Sequence, residues 1–251
     1  MRGGRDCVSP RLHGYRNVVR PVDVHRALRD EHNNAKRVLI DWAVWWVKST
    51  HVPLVYADVC CGKGGDVPKV SRHPLLSYTG SDVVSEAVAE ARRRAGGRAG
   101  YTFSVRDGAA HLRTGAYGIV SVQFALHHFC ATRERCDGFV RDVARALRPG
   151  GVFIGTTVRE ASLGFPVGTP AFGAAYTFEL AGCIDAAVEY RVPFRELRAI
   201  CSSHGLRLCF WRTLHDFLRG AGEPSTVDMN EAYIAFAFIH VADTRPAAGR
   251  A

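Results

Sequence analysis

Three acids and one glycine cluster carry the chemistry that can be read first. The run LVYADV, residues 54–59, contains Asp58 and gives way to CCGKGGD, residues 60–66. Small residues such as Gly62 and Gly64 let backbone approach a ligand closely, with the N-terminus of the next helix nearby. LLSYTGSDV, residues 75–83, carries Asp82 near its end, and YTFSVRDG, residues 101–108, carries Asp107. In an open parallel sheet, ligands bind beyond the carboxyl ends of the strands. An acid after the second strand suits the two hydroxyls of a ribose, and one after the third suits an adenine amino group. These features point to a nucleoside-type ligand. A dinucleotide is the natural rival, but the turn reads GxGG, not GxGxxG, and no GK[ST] is present for a P-loop. The Asp82 spacing and the Asp-Gly at 107–108 favour an adenosyl ligand. The blander reading is a set of glycines that only make a tight turn.

The elements that must position these residues follow from periodicity. Apolar residues recur at helical spacing over 24–48, ahead of any strand. Strands at 54–59, 75–83 and 101–107 are followed by a fully apolar one, YGIVSVQF, at 117–124 and a fifth, VFIGTT, at 152–157. Helices are expected up to about residue 95 and over 133–147, the latter stopping at RPGG. Such alternation implies a doubly wound parallel sheet with helices on both faces. Residues 158–174, rich in Gly and Pro, read as an inserted loop. PFRELRAICSSHG then reads as a helix, LRLCFWR as a strand and AYIAFAFIHV as the last strand. That ending resembles the antiparallel hairpin that closes the methyltransferase variant of the fold. The expectation is an α/β, Rossmann-like class I S-adenosylmethionine-dependent methyltransferase fold with a mostly parallel seven-stranded sheet. A flexible basic arm is expected at 1–20, a single domain at 21–243 and a disordered tail at 244–251.

Composition sets the outer bounds. A 251-residue chain with 47% hydrophobic residues can bury one large core. No apolar run reaches the roughly 18 residues of a membrane span, and the basic N-terminus has no apolar segment of a secretory signal behind it. Eight cysteines are spread without any CxxC pair, which excludes zinc ribbons and thioredoxin-like sites and points to reduced thiols in an intracellular setting. A formal charge of +9 favours a polyanion such as nucleic acid, although the dominance of Arg over Lys also follows from a GC-rich genome.

Four motifs in order narrow the family. They are Arg29-Asp-Glu-His32-Asn33-Asn34-Ala-Lys36-Arg-Val-Leu-Ile40; CGKGGD at 61–66; Tyr117-Gly-Ile-Val-Ser-Val-Gln123-Phe124-Ala-Leu-His127-His128; and Leu147-Arg-Pro-Gly-Gly-Val-Phe-Ile-Gly-Thr-Thr157. Val188-Glu189-Tyr190 and the ending at Tyr233 follow the fourth. Taken together, residues 29–241 resemble the eukaryotic and viral mRNA cap guanine-N7 methyltransferases. The resemblance implies S-adenosylmethionine as methyl donor, S-adenosylhomocysteine as product and the GpppN end of capped RNA as substrate. Other capping-enzyme subunits would be partners, in the nucleus or, for a viral enzyme, the host cytoplasm or virus factory. It places Lys36, Asp58, Gly62, Gly64, Asp82, Asp107 and Gln123 at the cofactor. It places His32, Asn33, Phe124, His127, His128, Glu189 and Tyr233 around the cap guanine, and Lys63, Lys69 and the N-terminal basic residues near the triphosphate. His128 departs from the Tyr usual in the family, and Cys60 stands where Gly is commoner.

Guanine N7 has no proton to lose, so no general base is expected. Catalysis would come from proximity, with Glu189 giving electrostatic support to the cation that forms. Bland alternatives stand beside these roles. Glu189 could instead be a solvated charge, Phe124 and Tyr233 core, and Arg92 to Arg94 a solvated face. His127 and His128 invite a metal, but no ligand stands at the spacing that would complete a site. Two other functions stay open: a small-molecule methyltransferase, and a non-catalytic stimulatory subunit of a capping complex. A ribose 2′-O site needing a Lys-Asp-Lys-Glu set is excluded, because the four lysines are at 36, 48, 63 and 69.

Overall fold

The computed structural model describes residues 26–180, 184–225 and 231–241. The expected arm at 1–20, the tail at 244–251 and the outermost residues of the expected domain lie outside those residues. Unbroken apolar runs dictate the centre of the sheet. β1 (Val55–Val59) and β4 (Tyr117–Gln123) are buried along almost their whole length, as strands covered on both faces must be. They run parallel, with Tyr56 opposite Ile119 and Val59 opposite Val122. β2 (Ser77–Asp82) and β3 (Tyr101–Val105) extend the sheet beyond β1, and β5 (Leu147–Val158) extends it beyond β4, all parallel. β9 (Tyr233–His240) lies antiparallel between β5 and β8 (Leu206–Thr213), giving the order β3-β2-β1-β4-β5-β9-β8. The seven strands and the antiparallel closing pair are those the sequence predicts.

Period-two alternation sorts the core into two layers. Ala57, Val120, Val122, Phe153, Phe236 and Phe238 belong to one, with side chains of α4 (Arg133–Ala146) and α5 (Phe194–Ser203). Tyr56, Tyr78, Ile119, Ile154, Ala235 and Ala237 belong to the other, with α1 (Arg26–Ser49) and α6 (Leu214–Gly220). α1 buries Ala35, Leu39, Ile40, Ala43, Val44 and Val47, the stripe its periodicity predicts. Thr132 caps α4 by accepting from the Arg135 N–H at 3.2 Å. Trp42 and Trp46 stack beside this layer, and Trp46 Nε1 donates to the Gly150 carbonyl, whereas Trp45 is 60% exposed. Beyond the short α2 (Val67–Val70), the arginine run on α3 (Ser85–Ala95) is a surface face: Arg93 and Arg94 pair with Glu90, and Arg92 donates to the Phe103 carbonyl.

The structure adds two pieces to the sequence reading and corrects one boundary. Residues 175–190, where periodicity predicts no element, form an antiparallel hairpin, β6 (Ala175–Leu180) and β7 (Ile184–Tyr190), outside the main sheet. Its apolar signal is weak because alternate side chains face solvent and the inward ones include the polar Glu189. The short helix α6 also went unread. RPGG, expected as a helix stop alone, is drawn into β5, which begins at Leu147, and a register shift between Tyr117 and Ile119 absorbs the irregularity.

Phe236 is fully buried between Phe153, Trp211 and Phe238, with ring centroids 5.3, 5.6 and 5.9 Å away. Phe236→Ala is expected to cost about 3–5 kcal/mol of stability, read as a fall in the urea midpoint at unchanged slope.

Candidate functional site

The site is built where the carboxyl ends of β1, β2 and β4 converge, and it begins with a turn. Cys60, Gly62 and Gly64 have φ of +59°, +51° and +72°. Three left-handed residues in five fold the chain back over the strand end. Only glycine fits at 64, where a Cβ would lie 2.9 Å from Ala91 Cα on α3. At Gly62 a Cβ would meet nothing within 4 Å, so this residue faces open space. Cys60 takes the same conformation with a side chain, at a cost of about 1–2 kcal/mol.

Acids fix the turn from both sides. Asp82 accepts the Gly62 N–H at 2.8 Å through Oδ2 and the Val84 N–H at 3.0 Å through Oδ1, tying the turn to the tip of β2. Behind the turn, Lys36 and Lys69 both place Nζ 2.9 Å from Asp66 Oδ1. Burial pushes the Asp66 carboxyl up, but the two ammonium groups outweigh it and hold it below the usual range. Lys69 also donates to the Gly65 carbonyl at 2.8 Å. Lys36, expected at the cofactor, and Lys69, expected near the triphosphate, thus both brace the turn through Asp66.

Asp58, also expected at the cofactor, is 2% exposed and accepts from Tyr78 Oη at 2.6 Å. Burial and then the nearby Asp66 charge raise its carboxyl to about 7. The Cys60 thiol is pushed up by burial and then by Asp82, Asp107 and Asp58, so the three strand-end acids surround this turn. Asp107 lies two residues beyond β3, well exposed, and pairs with Arg135 at 3.2 Å. Gln123 ends β4. Its Nε2 donates to Ser121 Oγ and its Oε1 accepts from Thr156 Oγ1.

Beside this cleft lies a slot of about 150 Å³ lined by His32, Phe124, His127, Val158, Phe178, Glu189 and Tyr233. Five of the expected cap residues meet here, on α1, after β4, on β7 and on β9. Phe124 follows β4 with φ +52°, and its N–H is held by both the carbonyl and the hydroxyl of Thr156. That strained step leaves Phe124 against the slot instead of in the next strand position. His32 packs on Phe124 at 4.9 Å and edge-on against Tyr233 at 4.4 Å. Asn33 is exposed and outside the lining, and Lys63 is half-buried in the turn.

The slot's electrostatics are one-sided. Burial, then the Lys36 charge, lowers His32 to about 4, and its Nε2 is buried without a partner among the described residues. Burial holds His127 far below the ordinary histidine range and lowers His128 as well. Glu189 is 6% exposed and is the only carboxyl among the described residues of the lining. The solvated reading of it fails. Its Oε2 accepts from Tyr176 Oη at 2.6 Å, and its Oε1 lies 3.4 Å from His127 Nε2. Burial raises the Glu189 carboxyl, against the Tyr176 hydrogen bond. Sequence reasoning missed Tyr176 and Phe178. The signal was their i, i+2 spacing in AYTFEL, which puts both on one face of β6. Among the described residues no three His, Cys, Asp or Glu converge as a metal site requires, and no helix is long and apolar enough to cross a membrane.

Comparison with known proteins meets the same two halves. Residues 57–151 match the pattern described as "Methyltransferase domain". Residues 157–231, which carry the hairpin and Glu189, match "mRNA (guanine-N(7))-methyltransferase domain". The mRNA cap guanine-N(7) methyltransferase of Lodderomyces elongisporus is 28% identical, the match covering 75% of this chain and 45% of that protein. Methyltransferase 1 of that name from Oryza sativa subsp. japonica is 29% identical, over 82% and 71%. The chain is similar to mRNA cap guanine-N7 methyltransferases over about three quarters of its length. It spans about half the length of most of the family members it matches. Among solved structures, a S-adenosylmethionine-dependent methyltransferase from Clostridium acetobutylicum superposes with a TM-score of 0.58 at 12% identity, covering 82% of this chain and 92% of that one. The N-methyltransferase NodS of Bradyrhizobium japonicum gives 0.57 at 13%, covering 88% and 100%. At such identities the likeness is one of fold.

The buried acid under the turn yields a stability test. A folded-state value raised to about 7 means that Asp58 binds its proton more tightly in the native chain than in the unfolded one. Its stabilising contribution is therefore full below about pH 4 and lost as pH rises through 7. Asp58→Asn removes that loss, so its melting temperature relative to the native chain is expected to rise between pH 5.5 and 8.

Proposed function

We propose that this chain transfers a methyl group from S-adenosylmethionine to N7 of the guanine in a GpppN RNA cap. One observation carries the reading: a buried carboxylate, Glu189, in an aromatic slot whose histidines are neutral, beside a turn ringed by acids. A guanine presents an N–H and an amino group on its Watson–Crick edge, both donors that a carboxylate accepts. Phe124, Tyr233 and His32 offer faces and edges for its ring.

The residues at the turn fit an adenosyl donor. Gly62 leaves open the space that a side chain would fill, and both oxygens of Asp82 keep lone pairs beyond the backbone N–H groups they accept. Asp82 would take the ribose hydroxyls and Asp107 the adenine amino group. Gln123 would close the floor at the end of β4. Gly64, Asp58 and Lys36 act through the turn, by packing and pairing behind it. When bound, the donor supplies a methyl group activated on a sulfonium.

What the chain must add is alignment and charge. Holding two reactants in register is worth about 7–11 kcal/mol of the barrier. No residue needs to remove a proton, because N7 carries none. Glu189 opposes the positive charge that spreads over the base as the new bond forms, in a setting where water screens little. The excess of basic residues, +9 in all, suits the triphosphate and the first nucleotides of RNA.

Incubating the chain with GpppA-capped RNA and labelled donor, then digesting with nuclease, is expected to release N7-methylated cap alone. Label on a ribose, on an internal base or on free nucleosides would overturn the reading. Glu189→Gln is expected to lower kcat/KM for capped RNA about 10²-fold, a loss of ~2.7 kcal/mol, while calorimetry finds S-adenosylhomocysteine affinity unchanged. Asp82→Ala is expected to do the reverse and abolish that affinity.

A further inference from the structure

His127 and His128 face each other through the same ring atom, Nε2 to Nε2 at 3.1 Å. Only one of the two nitrogens can carry the proton of that bond, so the rings must be opposite tautomers. Glu189 decides which. Its Oε1 lies 3.4 Å from His127 Nε2. A carboxylate lone pair there favours an N–H on His127 and repels a bare nitrogen. With the proton on His127 Nε2, the Nε2 of His128 is the acceptor and its own proton sits on Nδ1. Tyr176 Oη holds the other oxygen of Glu189 at 2.6 Å. The one Nε2–H of His127 then donates to His128 and lies beside Glu189 Oε1, while Tyr176 donates to the other oxygen of Glu189.

We infer that His128 is a positioning residue: by accepting the Nε2–H of His127 it fixes the tautomer and ring orientation that leave Glu189 charged toward the slot. The inference rests on the reading of Glu189 as the acceptor of the guanine edge. The acceptor role fails when His128 gains a proton at Nε2. His127 would then have to present a bare nitrogen to both neighbours, and Glu189 would face a lone pair or take up a proton itself.

The surroundings of His128 are mixed. Asp82 at the end of β2 and Asp107 beyond β3 favour its charged form, whereas Arg135 on α4 opposes it and also donates from Nε to the His128 carbonyl at 3.1 Å. His127 lies alongside, with Glu189 of β7 behind it. Burial outweighs the acids and keeps His128 below the ordinary histidine value. Acid should therefore disable the chain of bonds only below that value.

Long-range nitrogen–proton spectra of the ¹⁵N-histidine-labelled protein at pH 7.5 are expected to show His127 protonated at Nε2 and His128 at Nδ1, assigned with His128→Gln. The opposite pair of tautomers would overturn the inference, whether or not the protein methylates RNA. In the transfer assay His128→Phe, which has no acceptor, is expected to lower kcat about 10-fold at unchanged KM for the donor. His128→Gln, whose carbonyl can accept the same bond, is expected to recover most of kcat and to shift the acid limb of the pH profile. Calorimetric binding of S-adenosylhomocysteine checks that each variant is folded. If His128→Phe keeps the native kcat and pH profile, the positioning role is wrong. If the native chain methylates nothing while the tautomers are as expected, the fault lies in the proposed function and the local assignment stands.

Discussion

A carboxylate taken out of water with no cation at hydrogen-bond distance is among the most expensive groups a fold can hold. Glu189 is such a group. Its partners are neutral: a phenol at 2.6 Å and an imidazole nitrogen at 3.4 Å. The hairpin of β6 and β7 makes this arrangement, because the register sets Tyr176 directly opposite Glu189 across the two strands. Arg191, two residues further on, secures the connection into the hairpin by donating to the carbonyls of Thr169 and Pro170 and pairing with Glu160. The hairpin stands apart from the seven-stranded sheet and completes the slot that the sheet leaves open.

The other half of the site solves a different problem. A turn of left-handed residues has few backbone hydrogen bonds of its own, and side chains replace them. Asp82 bonds it from the front and Asp66, with Lys36 and Lys69, from behind. Strain at Cys60 and Phe124 sits on either side of the cleft. Such conformations persist where the surroundings over-determine them. Here the determinants are the acids around the turn and the double grip of Thr156 on the Phe124 N–H.

Much of this was legible in the residues. The apolar stripe of α1, the unbroken runs of β1 and β4 and the acids at 82 and 107 fix the sheet and the cleft, because periodicity and strand-end chemistry are local signals. The partners of long side chains were not legible. Lys36 and Lys69 lie 33 residues apart and meet at one oxygen of Asp66, a contact that only the closed fold specifies. The inward turn of Asp58 depends on the Tyr78 hydroxyl, one strand away. Glu189, Phe124 and Tyr233 left two readings open, since a lone aromatic in a strand and a lone acid near a loop carry no sign of which way they face. The hairpin escaped notice because its buried face mixes Tyr, Phe and Glu, and so lacks the uniform apolarity that marks a strand.

The neutrality of His32 and His127 has a consequence for turnover. With no positive side chain among the described residues of its lining, the slot would, in the reaction proposed above, distinguish two forms of the same base by charge: the neutral purine that enters and the cation that methylation leaves behind. Coulomb attraction across a few ångströms of poorly screened protein favours the second. On that proposal such a cavity would retain what it has made, and departure of the modified RNA end would be the natural bottleneck of the cycle.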